Sequence, residues 1–234
     1  MAEKNIVVAI DGPAGAGKST IARRVAERLG FTYINTGAMY RAIALWALRL
    51  GTELSDMHRL EQLAKEASLE LSSGGSRVVL NGEDVTEEIR SPEVTEAASK
   101  VSAIPAVRRA LLGVQRKIAD ETSVVMEGRD IGSVVFPNAQ VKIFLDADPQ
   151  ERARRRTLEF NQSGTSAEAE TVEAEMRERD GRDRTRAEAP LVQSPDAQLI
   201  ETTGLNIEQV EEAVLKVIRS RTSNGKTASF SASD

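Results

Sequence analysis

A glycine-rich turn that ends in lysine, serine and threonine is the part of this sequence best suited to chemistry. The stretch GPAGAGKST fits the pattern G-x-x-x-x-G-K-[ST]. Glycines let backbone N–H groups point at phosphate oxygens, and a following helix adds the positive end of its dipole. We therefore predict an ATP-binding P-loop with Lys18 as a solvent-accessible catalytic cation and Ser19 on Mg²⁺. The predicted ATP-binding residues are Gly12, Pro13, Ala14, Gly15, Ala16, Gly17, Lys18, Ser19 and Thr20.

The residues around this turn predict the elements that hold it. Residues 5–10 are typical of a buried strand, and residues 18–29 form an amphipathic helical pattern that Gly30 stops. Strands and helices then alternate along the chain, which predicts an α/β fold of the P-loop NTPase class with a parallel sheet flanked by helices. The further strands are predicted at 31–34, 123–126, 141–145 and 198–200, and the further helices at 38–50, 149–160 and 206–219.

Residues 69–89 break this alternation, because apolar and polar residues alternate there around two turn signals, Gly74-Gly75 and Asn81-Gly82. They predict a small antiparallel β insert. The polar residues 222–234 predict a disordered tail.

The segment from Glu151 to Arg186 contains nine arginines, nine acids and no lysine. A solvated helix with i,i+4 ion pairs explains several of these arginines. The absence of lysine favours phosphate binding as a second role, because the planar guanidinium can donate two parallel hydrogen bonds to one phosphate and the lysine ammonium cannot. Residues 161–170 suggest a flexible loop within the segment. We predict a hinged, helical arginine lid that closes on phosphates.

Composition excludes several classes of protein. The 234 residues carry a formal net charge of -5, which argues against nucleic-acid and membrane-surface partners. The chain has no cysteine and one histidine, so cysteine nucleophiles and multi-histidine metal sites are excluded. Residues 1–4 are too short for a signal peptide and no apolar run approaches about 18–20 residues, so we expect a cytoplasmic protein.

Several kinds of P-loop protein remain to be separated. The sequence has no guanine-reading [NT]-K-x-D stretch, which argues against a GTPase. A motor ATPase normally carries an acidic pair after an apolar strand, whereas Glu127 and Asp146 are single acids. A small-molecule kinase fits best, and a nucleotide-binding regulator of nucleic acid is the alternative from another class.

Six stretches carry a resemblance to a known family. They are IDGPAGAGKST, NTGAMYRAIA, LNGEDVTEEIRSPEVTEAASKVSAIPAVRRALL, EGRDIGSVVFPNAQVKIFLDAD, ERARRR and RERDGRDRTRAEAPL. With these stretches the chain resembles the bacterial cytidylate kinases, within the nucleoside monophosphate kinase family, from Val7 to about Ile218. Thr36 stands where serine is frequent in the family, and Ser19 where glycine is also frequent.

The resemblance implies roles for residues at the acceptor phosphate and sugar. Arg41, Arg129 and Arg186 match arginines that hold the monophosphate, and Arg129 and Arg186 are implied to be catalytic beside Lys18. Arg179 and Asp183 match residues at the ribose. On residue chemistry alone, Asp183 could instead pair with Arg179 one turn away.

The resemblance also implies which residues read the base. Ser99, Arg108 and Asp130 match base-reading residues, and a carboxylate with an arginine suits the amino donor and the O2/N3 acceptors of cytosine. Thr36 and Tyr40 are implied to line the acceptor site. Ser99 could instead be a small residue at a helix contact, and Asp130 could form a plain ion pair with Arg129.

The implied reaction is ATP + CMP to ADP + CDP, with dCMP as a further substrate and a monomer as the working form. A kinase for UMP or another small phosphoacceptor is the alternative within the enzyme class. We expect a core, an acceptor-binding region with the β insert, a lid and a tail. The core is expected at residues 1–35, 105–150 and 187–221, and the acceptor-binding region at 36–104. The lid is expected at 151–186 and the tail at 222–234.

Overall fold

A computed structural model describes residues 5–72, 77–162 and 168–222. Its centre is a five-stranded parallel sheet with the spatial order β2-β6-β1-β7-β8. The strands are β1 (Val7–Asp11), β2 (Thr32–Asn35), β6 (Val124–Gly128), β7 (Val141–Asp146) and β8 (Gln198–Glu201). All five lie within about two residues of the predicted strands, so the predicted parallel sheet is confirmed.

Helices cover both faces of the sheet, as apolar strands without polar alternation require. Helices α1 (Lys18–Leu29) and α8 (Ile207–Thr222) pack on one face, where Ile10, Val25 and Val214 are buried together. Helix α5 (Pro105–Glu121) packs on the other face against Met126. Gly30 ends α1 in a left-handed conformation, as predicted.

A second core lies beside the sheet and carries the insert. Helices α2 (Thr36–Arg49), α3 (Met57–Glu66) and α4 (Pro92–Val101) share a buried apolar cluster with α5. A small antiparallel sheet packs into the same cluster through Leu80. Its strands are β3 (Leu69–Leu71), β4 (Val78–Leu80) and β5 (Glu83–Asp84), and a short 3-10 turn, Glu88–Arg90, follows.

The predicted β insert is confirmed in its described part. Asn81 and Gly82 both have positive φ, 52° and 85°, which is the two-residue hairpin geometry that their types favour. The predicted Gly74-Gly75 turn and residues 223–234 of the predicted tail lie outside the described residues, and Thr222, the first residue of that predicted tail, instead ends helix α8.

The arginine-rich segment forms two helices, α6 (Pro149–Gln162) and α7 (Ala169–Thr185), that pack through Ala153, Val172 and Met176. The predicted loop 161–170 is therefore shorter than expected, because α6 covers its first two residues and α7 its last two, and residues 163–167 lie outside the described part. In the ranges that the structure describes, no helix is both long and apolar enough to cross a membrane.

Candidate active site

A cavity of about 440 Å³ opens at the carboxyl ends of the parallel strands. Parallel sheets bind ligands at this edge because the loops and helix N-termini that can hold a ligand gather there. The P-loop forms one end of the cavity, and residues from α2, α4 and α5 and from the end of β6 form the other. Arginines of α6 and α7 complete the wall between them.

The P-loop follows β1 in a conformation that its glycines permit. Gly12 has φ of 148°, and a Cβ there would lie 2.0 Å from the carbonyl oxygen of Leu145. A Cβ at Gly15 would lie 2.8 Å from the carbonyl oxygen of Arg152. Glycine is therefore needed where the loop touches β7 and α6. Six loop residues line the cavity, whereas Gly12, Pro13 and Ala16 support the loop from behind; the six are Ala14, Gly15, Gly17, Lys18, Ser19 and Thr20.

Lys18 lines the cavity but is not solvent-accessible as the sequence led us to expect. Its side chain is buried, and Nζ donates to the carbonyl oxygen of Pro13 at 2.6 Å. The pKa of Lys18 is lowered to about 7, mainly by burial. The positive charge of Arg129 also lowers this pKa, and its effect is larger than the opposite effect of the Glu127 carboxylate. The loop curls around the lysine, so the cation reaches the cavity from inside the loop rather than from solvent.

The far end of the cavity holds a buried cluster around Asp130. Arg108 forms a short ion pair with Asp130 and lies 5.4 Å above the ring centre of Tyr40. Arg186 approaches the same carboxylate at 3.4 Å. Asp130 therefore pairs with Arg108 and Arg186, and not with its neighbour Arg129 as one reading of the sequence allowed.

Arg129 instead joins the end of β6 to α7, because its Nε donates to Asp183 at 2.9 Å. Burial raises the pKa of Asp183, but Arg129, Arg179 and Arg186 outweigh burial and the net pKa lies below its usual value. The carboxylate stays charged near neutral pH. Asp183 was expected near the sugar, and it lines the cavity with Arg129 and Arg186.

Two arginines of the wall keep donors unused. The Nε atoms of Arg41 and Arg179 are buried without a hydrogen-bond partner in the described part of the chain. Burial lowers the pKa of Arg179 to about 10 and also lowers that of Arg41, yet both remain cations at neutral pH. Buried donors without partners are costly, so these two side chains are candidates to bind an acceptor from outside the protein.

Ser99 is the one predicted acceptor residue that the structure places elsewhere. It lies on α4 beside an adjoining cavity of about 390 Å³, whose other walls include Glu178 and Arg182 of α7. Its Oγ is buried and has no hydrogen-bond partner among the described residues. The two cavities share Arg179 and Thr95 in their linings. The role of Ser99 at the base stays a prediction.

Most of the arginines in residues 151–186 fall into two groups, which overlap at Arg156 because it both pairs with Glu159 and lines the cavity. Surface ion pairs on the same helix occupy several of them, as the solvated-helix interpretation expects, and Arg154 with Glu151 is an example. Arg156, Arg179 and Arg186 line the cavity. The lysine-free segment thus contributes three arginines to the site.

Arg152 belongs to neither group, because it is buried and holds the P-loop. It donates to the carbonyl oxygen of Ala14 at 3.1 Å and pairs with Asp180 at 2.5 Å. Asp180 in turn accepts from the backbone N–H of Ala14 at 3.4 Å. The backbone N–H and the backbone carbonyl of Ala14 are therefore both hydrogen-bonded to side chains of the two arginine-rich helices.

The cavity is strongly basic overall. Eight cationic side chains and four carboxylates line it; they are Lys18, Arg41, Arg90, Arg108, Arg129, Arg156, Arg179 and Arg186 against Glu127, Asp130, Glu159 and Asp183. A basic lining of this kind suits two phosphate-bearing ligands that would otherwise repel each other.

A family model for cytidylate kinase matches residues 8–220. The chain belongs to the cytidylate kinase family. Among similar family members, the cytidylate kinase of Solibacter usitatus is 60% identical over 96% of this chain and 97% of that protein. The cytidylate kinase of Symbiobacterium thermophilum is 50% identical over 92% of this chain and 97% of that protein. An uncharacterized protein from Eubacterium ventriosum, 14% identical over 92% of this chain and 99% of that one, has a crystal structure that superposes with a TM-score of 0.52 and supports the fold alone.

Sequence reasoning missed several lining residues of this cytidylate kinase family member. Phe160 lines the cavity and lies outside the six stretches, whereas Arg90, Thr95 and Ser102 line it and lie within one of those stretches but were given no role. Glu127 was noticed only as a single acid after a strand; it is buried and accepts from the Tyr33 hydroxyl at 2.6 Å. Its position directly before Gly128-Arg129-Asp130 was the available signal.

Proposed function

We propose that this protein transfers the γ-phosphate of ATP to CMP and so produces ADP and CDP. The observation that carries the proposal is the single basic cavity with a P-loop at one end and a buried Arg108–Asp130 pair at the other. Membership of the cytidylate kinase family supports the same substrates.

At the donor end, we assign the triphosphate to the P-loop backbone and Lys18. The loop residues Gly15 and Gly17 to Thr20 that line the cavity offer N–H groups, and α1 begins at Lys18 with its N-terminus at the cavity. Lys18 already lies inside the loop, so phosphate oxygens can replace the Pro13 carbonyl as its partner. Phosphate charge would also raise the lowered pKa of Lys18 and keep the lysine protonated.

At the acceptor end, we assign the monophosphate to Arg41, Arg129 and Arg186, the ribose to Arg179 and Asp183, and the base to Arg108 and Asp130. Thr36 and Tyr40 line the same end from α2, whose N-terminus adds a favourable dipole. The unpartnered Nε donors of Arg41 and Arg179 support this assignment. Ser99 joins the base site only if the base extends toward the adjoining cavity.

The chemistry asks for positioning and charge neutralisation. An oxygen of the acceptor phosphate attacks the γ-phosphorus in line, one P–O bond forms, and the bond to the β-phosphate oxygen breaks. The attacking oxygen is already anionic, so the reaction needs no general base. Lys18, Arg129 and Arg186 neutralise the charge that would keep donor and acceptor apart. Arg156 on α6 supplies a further cation when α6 and α7 close as a lid.

We propose Mg²⁺ as the metal that accompanies ATP, with the Ser19 hydroxyl as its protein ligand. Ser19 is exposed at the cavity, and in the described chain no group of three or more His, Cys, Asp or Glu forms a metal cage. This donor set fits an ion that is held mainly by phosphate oxygens and water. When bound, the ion neutralises charge on the triphosphate.

We also propose dCMP as an acceptor, a monomer as the working form and the four-part division into core, acceptor region, lid and tail. Helix α5 packs with both the sheet and the second core, so the boundary near residue 105 is a proposal about function rather than about packing.

A panel of monophosphates tests the proposal. Product formation from CMP, dCMP, UMP, AMP, GMP and dTMP is measured with ATP, with and without Mg²⁺. CMP and dCMP should be the best acceptors, and chelation of the metal should abolish turnover. A clear preference for UMP would replace CMP as the substrate, and salt-sensitive RNA binding without turnover of any monophosphate would favour the regulator.

A further inference from the structure

The carboxylate of Asp11, the last residue of β1, is used by no step of the proposed reaction. Its side chain is 5% exposed, at the point where β1 turns into the P-loop. Oδ1 accepts from the backbone N–H of Ile131 at 2.7 Å, and Oδ2 accepts from that of Gly132 at 2.7 Å. One short bond to each oxygen fixes direction as well as distance.

Both donors belong to a π-helical turn, Ile131–Val135, that directly follows Arg129 and Asp130. The other end of this turn is held by α5, because Arg116 donates to the carbonyl oxygens of Val134 at 3.1 Å and Val135 at 2.9 Å. The turn thus has two anchors, and Asp11 is the one next to the acceptor-binding residues. Asp11 also precedes the first P-loop glycine, so it joins the two ends of the site.

A buried carboxylate at this position is expensive for the fold. Burial raises the pKa of Asp11 to about 6, even though the N–H groups of Gly132 and Ile131 and the nearby Lys18 act in the opposite direction. An apolar side chain at the end of β1 would avoid this cost but could not hold two N–H groups. What the carboxylate provides in return is therefore the placement of the turn.

We propose that Asp11 is a positioning residue, which holds the turn after β6 so that Arg129 and Asp130 face the acceptor nucleotide while the P-loop faces ATP. This inference rests on the proposed function, because it assigns Asp11 a part in acceptor selection. It predicts that damage to Asp11 weakens the acceptor end more than the donor end.

The test compares the wild-type chain with Asp11→Asn and with Glu211→Gln as a matched control. An asparagine at position 11 turns a donor toward one of the two N–H groups and loses its bond. Glu211 is a buried acid that pairs with Arg24 and Arg28 between α1 and α8, away from the cavity. The measurements are kcat and KM for CMP, for UMP and for ATP.

For Asp11→Asn we expect the KM for CMP to rise at least about tenfold and the KM for ATP less than about threefold, since a charge-assisted bond to the turn is lost. The preference for CMP over UMP should fall as well. Glu211→Gln should change neither the ratio of the two KM values nor the preference for CMP over UMP. Equal rises in both KM values, or an unchanged CMP preference in folded Asp11→Asn, overturn the inference.

If Asp11→Asn does not fold, Gly132→Ala tests the same contact from the turn. A Cβ there would lie 3.1 Å from Cδ of Lys142, whose Nζ is tied to Pro137 and Asp196, and 3.4 Å from Oδ2 of Asp11. Because the contact with the anchored Lys142 is too close, we expect the turn to shift relative to Asp11, and the substitution changes no charge. The same split in KM supports the inference, and its absence overturns it. A wild-type chain without CMP kinase activity overturns the proposed function first, whereas an active wild type leaves only the role of Asp11 at stake.

Discussion

Asp180 and Asp183 lie one helical turn apart on α7 and hold opposite ends of the same cavity. Asp180 pairs with Arg152 and accepts from the backbone of Ala14 in the P-loop. Asp183 accepts from Arg129 at the end of β6 and lies 3.6 Å from Arg186. One helix therefore contacts both the donor loop and the acceptor arginines, so its position affects the two ends together.

This arrangement predicts opposite effects of two matched substitutions. Asp180→Asn should raise the KM for ATP by about tenfold and leave the KM for CMP within about threefold, because the charged partner of Arg152 is lost beside the P-loop. Asp183→Asn should do the reverse, because Arg129 loses its partner. Both variants should be less stable, so the ratio of the two KM values is the measurement that decides. An identical ratio in the two variants would contradict the division of labour.

Lys18 should be essential for turnover and dispensable for folding. Lys18→Met keeps the apolar stem and removes the cation, so kcat should fall at least about a hundredfold, which is the usual loss for one preorganised charge at a transferring group. Circular dichroism checks the fold. Near-normal turnover by the folded variant would refute the P-loop assignment.

The same variant should be more stable than the wild type without nucleotide, and the gain should depend on pH. Burial and Arg129 lower the pKa of Lys18 from 10.5 to about 7 in the folded chain. Below pH 7 the lysine is charged in both states, so the folded chain bears the whole cost of the buried charge. Between pH 7 and 10.5 the unfolded chain holds a proton that the folded chain lacks, and rising pH therefore favours the folded wild type.

Urea unfolding at several pH values measures this effect without adding salt. The stability advantage of Lys18→Met should be largest below pH 7 and should shrink by up to about 1.4 kcal/mol per pH unit above it. A difference that stays constant from pH 6.5 to 9.5 would mean that Lys18 is not strained by its burial.

The parts of the fold that the sequence predicts well are those that local chemistry decides. Helix α1 begins and ends at the predicted residues because glycines flank it on both sides, Gly17 and Gly30. The Asn81-Gly82 turn is correct for the same reason. The buried strands follow from short apolar runs that have no polar face.

What the sequence could not supply depends on contacts between distant segments. Lys18 fits the motif, but its burial depends on how the loop curls toward Pro13. Arg152 is one of four arginines within five residues, and only its contact with Ala14 and Asp180 distinguishes it from its neighbours. Ser99 fits the family pattern, but the orientation of α4 decides which cavity it lines. Family resemblance selected acceptor residues that, apart from Ser99, line one cavity, whereas packing determined their partners.

Among the arginines of α6, Arg156 should matter for catalysis and Arg154 should not. Both arginines pair with an acid of the same helix, Glu159 and Glu151, but Arg156 lines the cavity above Phe160, with 4.3 Å between its Cζ and the ring centre, whereas Arg154 is exposed. Arg156→Ala should lower kcat about tenfold to a hundredfold, because a cation near the transferring phosphate is lost. Arg154→Ala is the matched control and should stay within about twofold of the wild type. Equal losses in both variants would show that the helix contributes only general charge.

Asp130 should read the amino group of cytosine, and this gives the sharpest test of the acceptor site. A carboxylate is an acceptor only, so it suits the N4 donor of cytosine and opposes the O4 acceptor of uracil. Two facing acceptors in a buried site leave a polar group unpaired at a cost of about 1–3 kcal/mol, which predicts at least about tenfold higher kcat/KM for CMP than for UMP.

Asp130→Asn should narrow this gap in kcat/KM, because an amide can rotate to donate to O4. The gap should close mainly through loss of CMP activity, since asparagine gives up the charge-assisted bond and leaves Arg108 without its anionic partner. Asp84→Asn serves as the control, because Asp84 is an exposed acid on β5 that pairs with Arg77. It should not change the CMP to UMP ratio of kcat/KM. If Asp130→Asn keeps the CMP to UMP ratio of the wild type, Asp130 does not read the base, and its ion pairs with Arg108 and Arg186 serve only to hold α5 and the segment after α7 against the end of β6.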